Sequence, residues 1–244
     1  MVGQTEDLNL IDAPGTAETC WQGWPGLDEL PAAEVAAWRS AVVVAAHPDD
    51  EVLGVGGTMS ILAASGARLR LIAITDGEAS HPGISDPPAL ARRRRAETGA
   101  ALKCLGAEGT EVIRLGLPDT GLAGQEPELT TVLGELTAGF DVCLAPWTRD
   151  AHADHEVAGR AARRANGSTL CYPVWMWHWA RPRDQRVPWH RGLRVPLGPA
   201  PAAAKQAAIA CFASQLEARE PSGEPVLSPG IVAHFTRNCE VLFT

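Results

Sequence analysis

Two short clusters of histidine and carboxylate side chains hold the residues of this sequence that could do chemistry. Residues 47–51 read HPDDE, and residues 152–155 read HADH. Histidine nitrogen and carboxylate oxygen are common ligands of zinc and other divalent ions. Each cluster follows a predicted β-strand, and parallel α/β sheets bind ligands beyond the carboxyl ends of their strands. The two clusters would meet only if their strands are neighbours in the sheet.

Each cluster alone also has an ordinary structural explanation. Asp49, Asp50 and Glu51 would place negative charge at the N-terminus of a following helix. His152 and His155 would share one solvent-exposed face of a helix. Because both clusters follow predicted strand ends, we favour a metal site over two independent surface groups.

The elements that would position the clusters alternate along the chain. Short apolar runs predict strands, and segments with helical spacing, punctuated by proline and glycine, predict helices. The strands fall at residues 41–46, 68–75, 111–117 and 141–147, and the helices at 54–67, 87–106, 126–139 and 152–166. Four strand–helix units predict an α/β fold with a mostly parallel sheet and helices on both faces.

The alternation weakens after residue 167. Residues 168–177 predict a strand, 191–198 an edge strand, 201–215 a helix and 239–243 a last strand. We interpret them as additions to one domain at residues 41–244. An N-terminal arm at residues 1–40 precedes it, and its first part, rich in Pro, Gly and acidic residues, is expected to be loosely structured.

Glycine and tryptophan residues stand out on two of these elements. Gly54, Gly56 and Gly57 resemble part of the GxGxxG dinucleotide-binding pattern, but Met59 stands in place of its last glycine. We therefore expect these glycines to allow close packing of a helix on the sheet. Three tryptophans in the segment 175–179 would share one face of a strand. They would pack in the core or form a platform for a ligand ring.

Composition excludes several classes of protein. The chain has 244 residues, of which 45% are hydrophobic and 20% charged, and its formal net charge is −8. An acidic surface argues against nucleic-acid and anionic-membrane partners, and no run approaches the roughly 18–20 apolar residues of a membrane span. The N-terminus lacks a signal-peptide pattern. Six scattered cysteines without a CxxC pair indicate buried thiols of a reducing compartment. We therefore expect a cytoplasmic protein with a small-molecule partner.

The sequence resembles the LmbE-like, or PIG-L, family. AHPDDE at residues 46–51, GGT at 56–58 and the later HADH are similar to the two signature motifs of that family. Weaker similarities occur at Arg94 with Glu97, at Leu117-Pro118-Asp119 and at Ser214-Gln215, so the resemblance covers residues 41–243. It implies a Rossmann-like fold and a metal-dependent amidohydrolase that removes acetyl or related acyl groups from amino sugars.

The resemblance also implies roles for individual residues. His47, Asp50 and His155 would bind the metal, usually zinc, with Fe²⁺ as an alternative divalent ion. Asp49 would be the general base. His152 would be the general acid or stabilise the tetrahedral intermediate, and Asp154 would tune a neighbouring histidine. Three protein ligands leave one position open for water, whose pKa a metal lowers to about 7.

Two further residues and two departures complete the comparison with the family pattern. The resemblance places Arg94 and Asp119 near substrate hydroxyls, while an ion pair between Arg94 and Glu97 on one helix is the alternative for the arginine. Ala153 replaces a proline common in the second motif. Asp150 stands where some members have a tyrosine whose hydroxyl would assist the oxyanion. In this chain, either His152 and the metal stabilise the oxyanion alone, or another residue such as Arg149 assists them.

Together these observations predict a zinc-dependent hydrolase that removes an N-acetyl or other N-acyl group from an amino-sugar-containing small molecule, in thiol or natural-product biosynthesis. Two alternatives stay open: a non-catalytic, Trp-rich binding module of the same fold, and a metal-dependent hydrolase of a different amide or thiol conjugate. Selectivity would lie in the loops near residues 77–88, 119–126 and 172–190. A homo-oligomer is compatible with the sequence.

Overall fold

Five parallel strands form the larger part of a seven-stranded sheet. The computed structural model describes residues 10–219 and 222–244. Its strands are β1 (Ser40–Ala45), β2 (Arg68–Ala73), β3 (Glu111–Arg114), β4 (Val142–Pro146), β5 (Thr169–Tyr172), β6 (Gly192–Pro196) and β7 (Cys239–Phe243). They lie in the order β3-β2-β1-β4-β5-β7-β6, with β1 to β5 parallel and β7 antiparallel to both β5 and β6. The predicted mostly parallel α/β sheet is confirmed, and β6 is an edge strand.

Helices cover both faces of this sheet. They are α1 (Glu18–Gln22), α2 (Asp50–Ala64), α3 (Pro87–Cys104), α4 (Glu126–Thr137), α5 (Ala153–Ala165), α6 (Met176–Trp179), α7 (Pro199–Ile209), α8 (Ala213–Leu216) and α9 (Pro229–Ala233). Helices α2, α3 and α7 pack together on one face, and α4 packs with α5 on the other. Alternate residues of β1 enter the two cores, Val43 on the first side and Val42 and Val44 on the second.

Small residues let α2 approach the sheet closely, as the sequence predicts. A Cβ added at Gly54 would lie 2.1 Å from the ring of Tyr172, and one at Gly57 would lie 2.5 Å from Leu197. The helix is interrupted at Val55, whose φ of −139° is not helical. There the buried carboxylate of Glu240 accepts the backbone N–H of Gly57 at 2.7 Å, which satisfies a donor near the interruption.

The C-terminal part departs from the prediction in two places. Residues 175–179 form the short helix α6 and its N-cap rather than a strand, because β5 ends before Pro173 and a buried carboxylate accepts the next backbone N–H groups. The helix predicted at 201–215 is divided into α7 and α8, since Phe212 leaves the helical conformation with ψ +56° and is fully buried.

The described part of the N-terminal arm makes buried contacts with the rest of the domain, and residues 1–9 lie outside the described part. Trp21 is fully buried, and its Nε1 donates to the Trp177 carbonyl at 3.0 Å. Glu18 accepts hydrogen bonds of 2.7 Å from His234 Nδ1 and Arg237 Nε. This segment therefore contributes to the core beside the C-terminal strands.

Two features bear on the sequence-based exclusions. Among the described residues, no helix combines the length and the apolar character that a membrane crossing requires. The prediction of buried thiols holds for Cys143 and Cys171 but is wrong for Cys20 and Cys104, which are exposed.

Candidate active site

The two motifs lie side by side at the carboxyl ends of the two central strands. β1 and β4 are paired in parallel; the first motif begins two residues after the end of β1, and the second begins six residues after the end of β4. The strand order reverses at this pair, because β1 leads to β2 on one side and β4 leads to β5 on the other. Such switch points form the crevices in which α/β proteins bind ligands.

The three predicted metal ligands converge on one point. His47 Nδ1 lies 3.3 Å from His155 Nε2 and 3.5 Å from Asp50 Oδ2, and His155 Nε2 lies 3.2 Å from Asp50 Oδ1. All three side chains are buried. Ligands bound at about 2.0–2.1 Å in tetrahedral geometry stand about 3.3–3.5 Å apart. Each pair of side chains is thus about as far apart as two ligands of one zinc-sized ion, with Asp50 facing the two histidines through different oxygens.

His152 lies close to these three side chains, at the position that precedes the first residue of α5. It is the N-cap of α5, with extended backbone (φ −107°, ψ 122°), so the expectation that it shares a helix face with His155 is wrong. One ring nitrogen each from His47, His152 and His155 lie within 4.8 Å of one another. Within the described chain, His152 Nδ1 is buried without a hydrogen-bond partner. His152 is thus placed either to meet a bound group or to serve as a further ligand.

Asp150 fixes the orientation of the His155 ring. Its Oδ2 lies 2.8 Å from His155 Nδ1, so a proton on Nδ1 leaves the Nε2 lone pair facing Asp50 and His47. Asp150 is fully buried and also accepts the backbone N–H groups of three consecutive residues, Val174, Trp175 and Met176, at 2.9–3.0 Å. A carboxylate behind a ligating histidine is the usual arrangement at metal sites.

Two carboxylates hold the other side of the His47 ring. Asp119 Oδ1 and Asp154 Oδ2 each lie 3.2 Å from His47 Nε2. Asp154 also accepts the backbone N–H of Thr120 at 2.8 Å, and Asp119 accepts that of Ala79 at 2.9 Å. These three residues are themselves a second group of close potential ligands. Asp119, which the resemblance places at the substrate, is thus in contact with a predicted metal ligand.

Asp49 lies beside the three donors in a strained backbone conformation. Its φ of +119° belongs to the region that favours glycine, and such outliers persist where surrounding contacts enforce them. Asp49 Oδ2 lies 3.2 Å from Arg94 Nη2. The same guanidinium donates to the carbonyl of Gly77 at 2.9 Å and to that of Pro48 at 2.5 Å. Arg94 therefore ties the loops after β1 and β2 together and faces the predicted base.

The alternative prediction, an ion pair of Arg94 with Glu97, is wrong. Glu97 pairs instead with Arg93 Nε at 3.2 Å. It also accepts the backbone N–H and the hydroxyl of Ser214 at 2.8 and 2.6 Å. Helix α3 thus carries Arg94 to the site and anchors α8, whose Gln215 lines the same cavity.

The side chains of Asp50 and His155 shift one another's pKa values toward their charged forms. Burial opposes ionisation of Asp50, but His155 and His47 hold its pKa well below the usual value. Burial also opposes charge on His155, yet Asp50 and Asp150 raise its pKa to about 9. The protein alone therefore balances these buried carboxylates with protons on histidine. A bound divalent cation would supply this positive charge in place of the histidine protons.

Neighbouring groups are shifted toward their neutral forms. Burial raises the pKa of Asp49 to about 7, against the opposing charge of Arg94. Burial, together with the neighbouring His155 and His47, lowers the pKa of His152 to about 3. Clusters of such displaced pKa values are typical of functional sites.

A cavity of about 570 Å³ opens above these groups. Part of its wall comes from loops that the sequence analysis predicts, at residues 79–82, 119–120 and 174–178. Two other walls were not predicted, residues 11–13 of the N-terminal segment and residues 224–228 with Arg219 and Ile231. No motif marks these segments, so only their position in the fold reveals them. Arg149 is exposed and lines a different surface groove with Arg160, Arg163 and Arg164.

Several curated proteins with similar sequences are named as deacetylases. The chain is 35% identical over 133 residues to the 1D-myo-inositol 2-acetamido-2-deoxy-alpha-D-glucopyranoside deacetylase of Kineococcus radiotolerans, a match that covers 51% of this chain and 35% of that protein. The chain spans about half or less of the length of the curated relatives that it matches.

Two solved structures show the same fold. The conserved protein TT1542 of Thermus thermophilus superposes with a TM-score of 0.59 at 24% identity, over 84% of this chain and 93% of that one. The 4-carboxy-2-hydroxymuconate hydratase GalB of Pseudomonas putida gives 0.57 at 21%, over 72% and 80%. At these identities the likeness establishes the fold and leaves the reaction open.

The family profile agrees with the motifs and with their geometry. The profile described as PIG-L, GlcNAc-PI de-N-acetylase, matches residues 42–166, which is more than half of the chain and includes both motifs. With its switch-point cavity and the paired clusters at the ends of β1 and β4, the chain belongs to the PIG-L family.

Proposed function

We propose that this protein is a metal-dependent hydrolase that removes an N-acyl group from a small molecule containing an amino sugar. The observation that carries the proposal is the meeting of the His47, Asp50 and His155 side chains, whose nearest donor atoms lie 3.2–3.5 Å apart in each pair, in a cavity that Asp49 also lines. The name of the Kineococcus relative, a deacetylase of an acetamido sugar joined to inositol, supports the substrate class.

In this proposal His47, Asp50 and His155 hold one divalent ion, zinc or an ion such as Fe²⁺. When bound, the ion polarises the acyl carbonyl group and makes water a better nucleophile at neutral pH. Asp150 keeps His155 in the tautomer that offers Nε2. Asp154, with Asp119, accepts from His47 Nε2 and so keeps that ring in the tautomer that offers Nδ1.

The remaining residues of the site move protons. Water adds to the acyl carbon, the C–N bond breaks, and one proton of the water passes to the departing nitrogen, so the products are an amine and a carboxylic acid, which releases the second proton as it ionises. We assign the removal of the water proton to Asp49, which lines the cavity and is held by Arg94. His152, which is neutral at rest and also lines the cavity, is assigned to stabilise the oxyanion through its ring N–H or to donate a proton to the leaving nitrogen after receiving one during the reaction.

The cavity wall supports a substrate with both polar and apolar surfaces. Arg94, Gln215 and Arg219 contribute hydrogen-bond donors, whereas the half-buried Trp175 and the buried Leu227 contribute apolar surface. Sugar rings have polar hydroxyls and apolar faces that stack on aromatic rings. Trp175 is thus the one tryptophan of the segment 175–179 that we assign to ligand contact, whereas Trp177 is buried in the core.

A pair of variants tests this proposal. Purified wild-type protein should hold about one divalent ion per chain and release a primary amine from an N-acetylated amino sugar. Asp49→Asn should keep the ion while amine release falls roughly 10²–10⁴-fold, and His155→Ala should lose the ion. Asp86→Asn, at the exposed N-cap of α3, is the matched control and should change neither quantity. Full amine release by metal-free protein, or wild-type turnover by Asp49→Asn, would refute the proposal.

The same measurements separate the other candidate functions. A panel of N-acylated amines, read by primary-amine release, tests which amide is cleaved. Ligand-induced change of tryptophan fluorescence, with no amine released from any member of the panel, would instead indicate a binding module. Metal retained without amine release would point to another reaction on this fold, as the similarity to a hydratase structure illustrates.

A further inference from the structure

Two cysteines from distant parts of the chain meet outside the cavity. Cys104 is the last residue of α3, and Cys211 lies in the turn between α7 and α8. Their Sγ atoms are 3.6 Å apart, although 107 positions separate them in sequence. Both thiols are free, Cys104 being exposed and Cys211 half-buried. The site is therefore accessible to a small reagent from solvent.

We propose that Cys104 and Cys211 form a thiol–disulfide exchange site that reacts with a low-molecular-weight disulfide. The Cys104 thiolate attacks one sulfur of the small disulfide, forming a mixed disulfide and releasing one small thiol. The Cys211 thiolate then attacks the Cys104 sulfur and releases the second small thiol. Two protein thiols are oxidised to one disulfide, and the small disulfide is reduced to two thiols.

The geometry allows the second step with a small movement. Disulfide sulfurs stand about 2.05 Å apart, so the two Sγ atoms must approach by about 1.5 Å. Helices α3 and α7 already pack against each other, which keeps the two thiols together in the reduced protein. Burial and the neighbouring Cys104 raise the pKa of Cys211 to about 11, which agrees with the exposed Cys104 reacting first.

The two buried cysteines of the central strands do not share this setting. Cys143 and Cys171 are fully buried in central strands, where burial raises their pKa values to about 12 and about 11. Cys20 is exposed and serves as a comparison, because it is equally open to a reagent. Pair formation therefore predicts a different product at Cys104 than at Cys20, an internal disulfide rather than a stable mixed one.

The bridge would join two elements that already meet at the wall of the cavity. Glu97 of α3 holds Ser214 of α8, and Gln215 beside it lines the cavity. A bond between Cys104 and Cys211 would close a long loop and restrict separation of these helices. Because long loops give large stabilisation on closure, the melting temperature should rise by roughly 5–15 °C.

The experiment uses the full folded chain and oxidised glutathione as the probe. After incubation, the protein is denatured and alkylated, and its free thiols are counted against the six in the sequence. The expected result is the loss of the Cys104 and Cys211 thiols within one chain, seen as a cross-linked pair of tryptic peptides, residues 104–114 and 206–219, while Cys20 carries glutathione or stays free. Added reductant should restore both thiols and the original melting temperature.

Single substitutions decide whether the pair itself is responsible. Cys104→Ser and Cys211→Ser should each abolish the cross-linked peptide and the rise in melting temperature, whereas Cys20→Ser should leave both unchanged. Circular dichroism of the reduced variants shows that each is folded. The proposal is overturned if wild-type protein keeps Cys104 and Cys211 free, stops at mixed disulfides, or forms only disulfides between chains.

Discussion

Asp150→Asn is the most direct test of how the site is held together. The carboxylate accepts from His155 Nδ1 and Trp175 N–H through Oδ2, and from the Val174 and Met176 N–H groups through Oδ1. In the asparagine variant one oxygen can still serve Val174 and Met176. The amide nitrogen then faces the two groups that Oδ2 served, and both of those groups were donors.

Two effects of known size follow from this exchange. An amide N–H directed at His155 Nδ1 favours the tautomer with its proton on Nε2, the atom that faces Asp50 and His47. We therefore expect metal affinity to fall about 10–100-fold, which is about 1.4–2.7 kcal/mol. The Trp175 N–H loses its acceptor in a partly buried place, which should lower the free energy of unfolding of the metal-free protein by about 1 kcal/mol, the low end of the range for an unpaired donor.

Competition with a chromophoric chelator measures the affinity, and urea unfolding of metal-free protein measures the stability. Asp141→Asn is the matched control, because Asp141 also accepts two backbone N–H groups, from Arg39 and Ser40, at the opposite end of β4. It should leave metal affinity unchanged. If Asp150→Asn binds metal as tightly as wild type while His155→Ala does not bind it, the reasoning about the tautomer is refuted.

Two further predictions concern packing and pH. Gly54→Ala would place a methyl group 2.1 Å from the buried Tyr172 ring and should lower the free energy of unfolding by about 1–3 kcal/mol. Gly99→Ala, in open space on α3, is the control and should raise the free energy of unfolding by up to about 1 kcal/mol. Equal urea midpoints for the two variants would contradict this prediction. Burial opposes ionisation of Glu18, but its histidine and arginine partners lower its pKa below 4.5, so its stabilisation is present above that pH and is lost as pH falls through the folded-state pKa. Melting temperatures from pH 7 down to 3 should therefore fall less steeply for Glu18→Gln than for wild type, and parallel curves would show that Glu18 contributes no such linkage.

The sheet was predictable because its signals are local. Short apolar runs separated by proline- and glycine-bounded helices recur four times, and each run became a parallel strand. The segment after β5 was wrongly predicted as a strand because its tryptophans alternate with the period of a strand. Its helical conformation depends on Asp150, which is distant in sequence and accepts the first N–H groups of the segment. A local pattern cannot contain such a tertiary contact.

The site was predictable where residues are adjacent in sequence and not where they are adjacent only in space. The two motifs identify the residues that converge after β1 and β4. The same motifs give no sign that Asp119 would contact His47, or that residues 11–13 would form a cavity wall. Those relations follow from packing of distant segments. The cytoplasmic location and any homo-oligomer stay predictions from the sequence.

The pairing of β1 with β4 also sets an order of events during folding. The acidic residues 49–51 are made roughly a hundred residues before His155, which compensates the charge of Asp50. Until β4 pairs with β1, these carboxylates are better solvated by water than buried in a half-formed crevice. Burial of the first motif must therefore wait for this long-range contact, which is intrinsically slow to form. A metal ion supplied during synthesis would meet a complete set of ligands only after that step.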